Sequence, residues 1–447
     1  MIATHVPVGP PGHWLAGHLP DFRTDRLGFL TRCAREYGDM VPLRFAHRRI
    51  LLVNHPDQIE EILVTHSKHF IKHFALRLNP VILGKGLLTS EGDFWLRQRR
   101  LIQPVFVRTR IQSYAGDMVA LTEKMLAAWK PGEACDIHEE MMRLTLAIAA
   151  KTLFNAEVGG DAHTIAGAMA VMQDNFLERF NSILPLPLWI PTPANLRARR
   201  AVRQLDDVMY RIIRARREAK SDEGDLLSLL LHARDEDDGS RMTDKQLRDE
   251  AMTLFLAGHE TTALTLSWTW YLLGQHPEAE RELWAELDGV LAGRQPNVDD
   301  WPKLKYTEMV ALEAMRLYPP AYVIGREAIT DCVIGGCAVP RGMTVLLPQW
   351  VVQRDPRFFD EPETFRPGRW GEERMKSMPR FAYFPFGGGP RVCIGQQFAM
   401  MELVLILATI ARKYRFRLRP GVTVTPHASF TLRPSPGVPG VIEARSP

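Results

Sequence analysis

From about Asp244 to Gln275 the chain reads as one unbroken helix, and no other stretch limits the fold as much. Thr243 followed by Gln246 is a capping-box pattern, and Pro277 closes the run. At 1.5 Å per residue the helix is roughly 48 Å long, enough to cross a whole molecule. Its middle is apolar, so it belongs at the centre of a helical body. His259 and Glu260 interrupt the apolar run, which argues against a membrane span. The interruption is Ala257-Gly258-His259-Glu260-Thr261-Thr262. Each polar group there needs a partner or water. Thr hydroxyls can bond a carbonyl one turn back and bend a helix, and Gly258 offers a neighbour close approach to the backbone. Taken alone, the hexapeptide reads equally well as a polar kink in a core helix and as a reactive turn.

Around this helix the pattern is mostly helical with a minor sheet. Residues 40–53 alternate about an Ala-His-Arg-Arg turn and predict a β-hairpin ending in Ile50–Val53. Pro56 opens a short helix. From about 94 to 290 apolar residues recur at helical spacing, with breaks at Pro131-Gly132, between Pro185 and Pro193, and at Asp235–Gly239. A helix over about Thr307–Leu317 stops at Pro319-Pro320. Short strands are predicted at Thr344–Leu347, around Phe430–Leu432 and at Val438–Ala444. A very apolar helix runs from near Gly395 to about Lys413. No repeat or Ser/Gly linker marks a mid-chain boundary, so residues 1–447 read as one domain. Its radius of gyration would be roughly 22 Å.

Composition narrows the chemistry. A net charge of +4 on 447 residues is too mild for a nucleic-acid binder. Five Cys, an odd and sparse number without C-x-x-C spacing, argue against a disulfide framework or structural zinc. At least one Cys needs another reason. The N-terminus has neither an apolar run of about 20 residues nor a signal-peptide core. A soluble, cytoplasmic protein is therefore expected.

The leftover Cys stands in Phe384-Pro385-Phe386-Gly387-Gly388-Gly389-Pro390-Arg391-Val392-Cys393-Ile394-Gly395, just ahead of the last apolar helix. A helix N-terminus favours the thiolate, which is the metal-binding form. Glycines let backbone approach a flat ligand, and Arg391 can pair with a carboxylate. A lone Cys at a helix start would still be ordinary. The longer pattern, Phe386-x-x-Gly389-x-Arg391-x-Cys393-x-Gly395, resembles the haem-binding loop of the cytochrome P-450 (haem-thiolate monooxygenase) superfamily.

That resemblance covers essentially the whole chain and implies a mainly α fold, with haem b between the long central helix and the Cys393 loop. It implies that Cys393 is the axial iron ligand. It also implies that Glu260 and Thr261 form a proton relay beside bound dioxygen, with Ala257 and Leu87 against the cofactor. Trp95 and Arg99, one turn apart, are implied to bind the haem propionates together with Arg326 and Arg391. Glu313-x-x-Arg316 alone would be a surface ion pair. With Arg369 in Phe365-Arg366-Pro367-Gly368-Arg369-Trp370 it resembles the family's structural triad, although Gly368 stands where a Glu is common. The substrate pocket is expected from Leu88, Phe176, Phe180, Phe255, Val323, Ile324, Phe430 and Thr431, which together favour an apolar substrate.

The reaction implied is insertion of one oxygen atom from dioxygen into an apolar molecule, a fatty acid or terpenoid being favoured. Reducing equivalents would come ultimately from NAD(P)H through a separate ferredoxin- or flavodoxin-type donor. An acidic donor would suit Arg391, Arg380 and Lys376 on the face around Cys393. The chain is expected to be monomeric, with no nucleic acid. The Arg-rich segment Arg197–Arg217 reads as a solvated helix face, with membrane contact at most peripheral. Three alternatives stay open: a peroxide-driven peroxygenase, a non-catalytic haem-binding or sensor protein, and a helical scaffold without a cofactor.

Overall fold

The capping box is present. Thr243 Oγ1 accepts from Gln246 N–H, Gln246 Oε1 accepts from Thr243 N–H at 2.7 Å, and the helix they open spans Asp244–Leu273. The computed structural model describes residues 7–77, 83–157, 160–181, 186–219, 225–233, 239 and 241–445. The predicted breaks at 185 and 235–238 fall outside those residues.

The central helix is buried along most of its length because helices close on it from several sides. Ile137–Phe154 lies along it, and Lys305–Leu317 and Gln396–Ala411 pack against its second half. Ala162–Asn181 and Pro193–Ala219 pair with each other beside its first half. Gln396–Ala411 explains its own apolar composition: every residue from Met400 to Ala411 is buried. A Leu or Ile fully withdrawn from water contributes about 1.5–3 kcal/mol, so this helix is a principal source of core energy. Among the described residues no helix is long and apolar enough to cross a membrane.

The predicted hairpin forms from Met40–Phe45 and Arg48–Val53. It is one edge of a five-stranded sheet whose further strands, in order, are Thr344–Leu347, Ile324–Ala328 and Phe70–Lys72. Residues 50–52 pair in parallel with residues 344–346, and the other pairings are antiparallel. Near the C-terminus, Thr425–Ala428 and Leu432–Ser435 form a second hairpin. Phe430 and Thr431 therefore lie in its turn rather than in a strand. Trp268 of the central helix donates to Leu432 O at 3.0 Å and fixes that turn beside the helix.

Candidate active site

Cys393 faces a cavity of ≈ 550 Å³ between its own loop and the central helix. The loop is tied tightly. Cys393 N–H donates to Phe386 O at 2.9 Å, and Gly387 N–H donates to Phe384 O. Gly389 has φ +66°, and a Cβ there would lie 1.8 Å from Leu63 O, so only glycine fits. The sulfur is open on its cavity side and enclosed by protein elsewhere. That enclosure pushes the thiol pKa up, while the Gly395 N–H and Arg99 pull against it. The helix terminus alone therefore does not make the thiolate favourable, contrary to the sequence expectation. A metal cation bound at the sulfur would supply the missing charge.

Across the cavity stands the polar turn of the central helix. Thr261 Oγ1 donates to Ala257 O at 2.7 Å and Thr262 Oγ1 to Gly258 O at 3.0 Å, the expected one-turn bonds. Ala257, Gly258, Glu260 and Thr261 all line the cavity. A Cβ on Gly258 would meet no protein atom within 4 Å, so no protein neighbour presses on the backbone there. Glu260 is only 6% exposed and does not itself reach solvent. Its Oε1 accepts from Thr431 Oγ1 at 2.5 Å and from Arg433 Nη2 at 2.9 Å, and its Oε2 accepts from Gln173 Nε2 at 2.8 Å. Nothing in the sequence marked Arg433 or Gln173 as its partners.

One flank of the cavity carries an excess of buried positive charge. Lys72, Arg326 and Arg391 line it together with Trp95 and Arg99. Glu91 is the carboxylate among them, ion-paired to Arg391 and 3.9 Å from Lys72 Nζ. Arg326 is 8% exposed, and its Nη1 donates to Gly325 O at 3.0 Å. Burial and the nearby Arg391 pull its pKa down to about 10. Burial likewise brings Lys72 down to about 7. Arg391 Nη1 is buried without a hydrogen-bond partner among the described residues. Buried cations need anionic partners. A flat ligand with a metal at its centre and two carboxylates at one edge meets all these demands. Arg391 thus points inward, not onto the outer face where the sequence reading also placed it. Arg99 donates to Val392 O at 3.0 Å, which braces the Cys loop.

The remaining wall is apolar. Leu87, Leu88, Val323 and Ile324 contribute to it. Phe176 and Phe430 meet edge to face with ring centroids 4.9 Å apart. Phe255 does not line the cavity. It is 3% exposed and packs on Phe154, with centroids 5.8 Å apart. At 100° per residue it lies on the far side of the helix from Ala257 and Thr261. The side chain of Phe180 lies outside the described residues.

Behind the Cys loop, the Glu313 carboxylate is fully buried and accepts from Arg316, Arg369 Nε, Trp370 Nε1 and Arg366 N–H, each within 3.0 Å. These are five hydrogen bonds, three to Oε1 and two to Oε2, so the carboxylate's acceptor sites are fully used. Gly368 takes no part, and its Cβ position is open.

Comparison with known proteins agrees with this geometry. The sequence model of the family described as cytochrome P-450 matches residues 7–438. Cyclooctat-9-en-7-ol 5-monooxygenase of Streptomyces melanosporofaciens is 37% identical, covering 92% of this chain and 89% of its own. Pentalenene oxygenase of Streptomyces avermitilis is 35% identical, covering 94% and 93%. The crystal structure of a cytochrome P-450 heme domain superposes with a TM-score of 0.91 at 28% identity, covering 100% of this chain and 99% of that one.

Proposed function

Because the chain belongs to the cytochrome P-450 family, we propose that it inserts one atom of dioxygen into a C–H or C=C bond of an apolar terpenoid, using electrons from a separate ferredoxin- or flavodoxin-type protein. The activity is that of a haem-dependent monooxygenase. In the net reaction, two electrons and two protons reduce the second oxygen atom to water. The observation that carries the reading is the cavity: a thiol on one side, an acid–alcohol turn on the other, and along one edge more cations than the Glu91 carboxylate can pair, with Arg391 Nη1 left without a partner among the described residues.

Haem b supplies the iron that binds and activates dioxygen. Cys393 would hold that iron through its thiolate sulfur, the ligand type that suits haem to oxygen activation. Arg326, Arg391 and Lys72 would hold the two propionates, with Trp95 and Arg99 beside them. Thr261 Oγ1 already donates to Ala257 O, so its lone pairs are what it offers the cavity. Glu260 holds the proton-relay position, and Arg433, whose side chain is 23% exposed, connects it toward solvent. The apolar wall orients the substrate and excludes water. A terpenoid suits that wall, and the two relatives carry cyclooctat-9-en-7-ol and pentalenene in their names. Arg380 and Lys376 are exposed outside the haem pocket and suit an acidic electron donor.

The test is purification, reduction under CO, and turnover of a panel of cyclic terpene hydrocarbons with a ferredoxin–reductase system. The reading predicts bound haem, the red-shifted thiolate Soret band, and hydroxylated or epoxidised products that depend on reductase and dioxygen. Products formed equally well with hydrogen peroxide alone would identify a peroxygenase. Haem without turnover of any panel member would leave a binding or sensing role.

A further inference from the structure

The turn of residues 83–90, which carries Leu87 and Leu88 into the cavity wall, has a definite hydrogen-bond account. Gly86 N–H donates to Leu83 O, and Thr89 N–H and Ser90 N–H donate to Gly86 O. Two further N–H groups leave the turn and meet consecutive acids of the central helix. Lys85 N–H donates to Asp249 Oδ2 at 2.9 Å, and Leu87 N–H donates to Glu250 Oε2 at 2.8 Å. The approach is close enough to require glycine. A Cβ on Gly84, where φ is +54°, would fall 2.0 Å from the Asp249 carboxylate. A Cβ on Gly86 would fall 2.1 Å from Thr253 Oγ1 and 2.6 Å from Asp249 O.

Asp249 has other partners, including Arg248 Nη1 at 3.0 Å. Glu250 is bonded far more sparsely. It is 0% exposed, Leu87 N–H is its one hydrogen bond among the described residues, and Oε1 is left without a partner. Burial raises its pKa to about 8, with Asp249 adding to the rise and the Leu87 N–H and Lys72 opposing it. A carboxyl kept in the core at this cost does something an apolar residue cannot.

We propose that Glu250 is a specificity-determining positioning residue: by holding Leu87 N–H it sets the height of the Leu87–Leu88 turn and hence which apolar ligands the cavity admits. It touches neither substrate nor cofactor. It acts through the two leucines, which do line the cavity. A Gln at this position keeps an acceptor for the Leu87 N–H, whereas Ala does not.

The proposal rests on the haem reading only for its optical probe. Ferric holoprotein is titrated with imidazole, small enough to reach iron under any ceiling, and with 4-phenylimidazole, which needs room beneath the turn. Hydrogen exchange of peptides covering residues 83–90 is followed in parallel. For Glu250→Ala, exchange in the turn speeds up about tenfold, the scale of one lost hydrogen bond. The ratio of the two azole Kd values changes at least about fivefold, by the same bond's worth of free energy. For Glu250→Gln, both readouts stay at the wild-type values. Gly86→Ala, which pushes the turn off the helix without touching Glu250, moves both readouts as Glu250→Ala does, and it decides the matter if that variant does not accumulate. A purely structural role would lower stability and weaken both azoles equally, leaving the ratio fixed. That outcome, or Glu250→Gln behaving as Glu250→Ala, overturns the proposal. Wild-type protein without an azole shift would instead overturn the haem reading, and the exchange experiment would still test the anchor.

Discussion

Arg433 Nη2 lies 2.9 Å from Glu260 Oε1, and this ion pair joins the polar turn of the central helix to the C-terminal hairpin across 173 residues of sequence. Replacing Arg433 with Ala leaves a carboxylate that is 6% exposed with only Thr431 and Gln173 as donors. The expected cost is about 1–3 kcal/mol, because an ionised group loses its charged partner but keeps two neutral ones. Adding Glu260→Gln to Arg433→Ala should recover most of that loss in urea melts. No recovery would mean that the pair is not what holds the hairpin.

The Glu313 carboxylate should be far less forgiving. Glu313→Gln removes the charge that offsets Arg316 and Arg369, both buried. Breaking a buried pair by removing one partner costs about 3–5 kcal/mol. The variant should accumulate mainly as insoluble protein or melt well below wild type. Arg369→Lys keeps the charge but loses the fork geometry, and a smaller drop is expected. A wild-type melting temperature for Glu313→Gln would contradict this account of the cluster.

Cys393→Ala is expected to abolish the red-shifted Soret band of the reduced CO complex while leaving far-ultraviolet circular dichroism unchanged. The side chain opens into the cavity, so its removal leaves no packed void. Persistence of the band would assign the iron ligand elsewhere.

His259 should make the protein acid-sensitive. It is 2% exposed and bonds Met142 O through Nε2 at 3.0 Å, and burial lowers its pKa to about 4. In the unfolded chain a His takes up a proton near pH 6.5. Between those values the unfolded chain binds more protons, so stability falls as pH falls from about 6.5 toward 4. The shift corresponds to about 3 kcal/mol at most for this one group. Urea denaturation at pH 7 and pH 5 of wild type and His259→Gln isolates the effect. The variant should lose less stability than wild type on acidification.

Much of the site was legible because its chemistry is compressed into short runs. The Cys393 loop, the Glu260–Thr261 turn and the Glu313–Arg316 pair each place their key atoms within one turn of chain. The partners were not legible. Lys72, Glu91, Gln173, Glu250 and Arg433 carry no local pattern, and they matter only because distant elements bring them beside Arg391, Glu260 and Leu87. Phe255 shows the opposite failure. Its neighbours in sequence line the cavity, but a helix turns 100° per residue and carries it away. Arg391 was expected on two surfaces at once, and the Glu91 carboxylate decides for the inner one.

The parallel pairing of residues 50–52 with residues 344–346 has a consequence for how the chain is born. The N-terminal hairpin leaves the ribosome with one edge bare, and about 290 residues must follow before its neighbour exists. At ordinary synthesis rates that is roughly 15–60 s. An uncovered edge strand invites foreign pairing throughout that interval. Cys393 emerges later still, so cofactor capture can only be among the last events of maturation. Nascent chains stalled before residue 344 should therefore depend on chaperones far more than chains released whole.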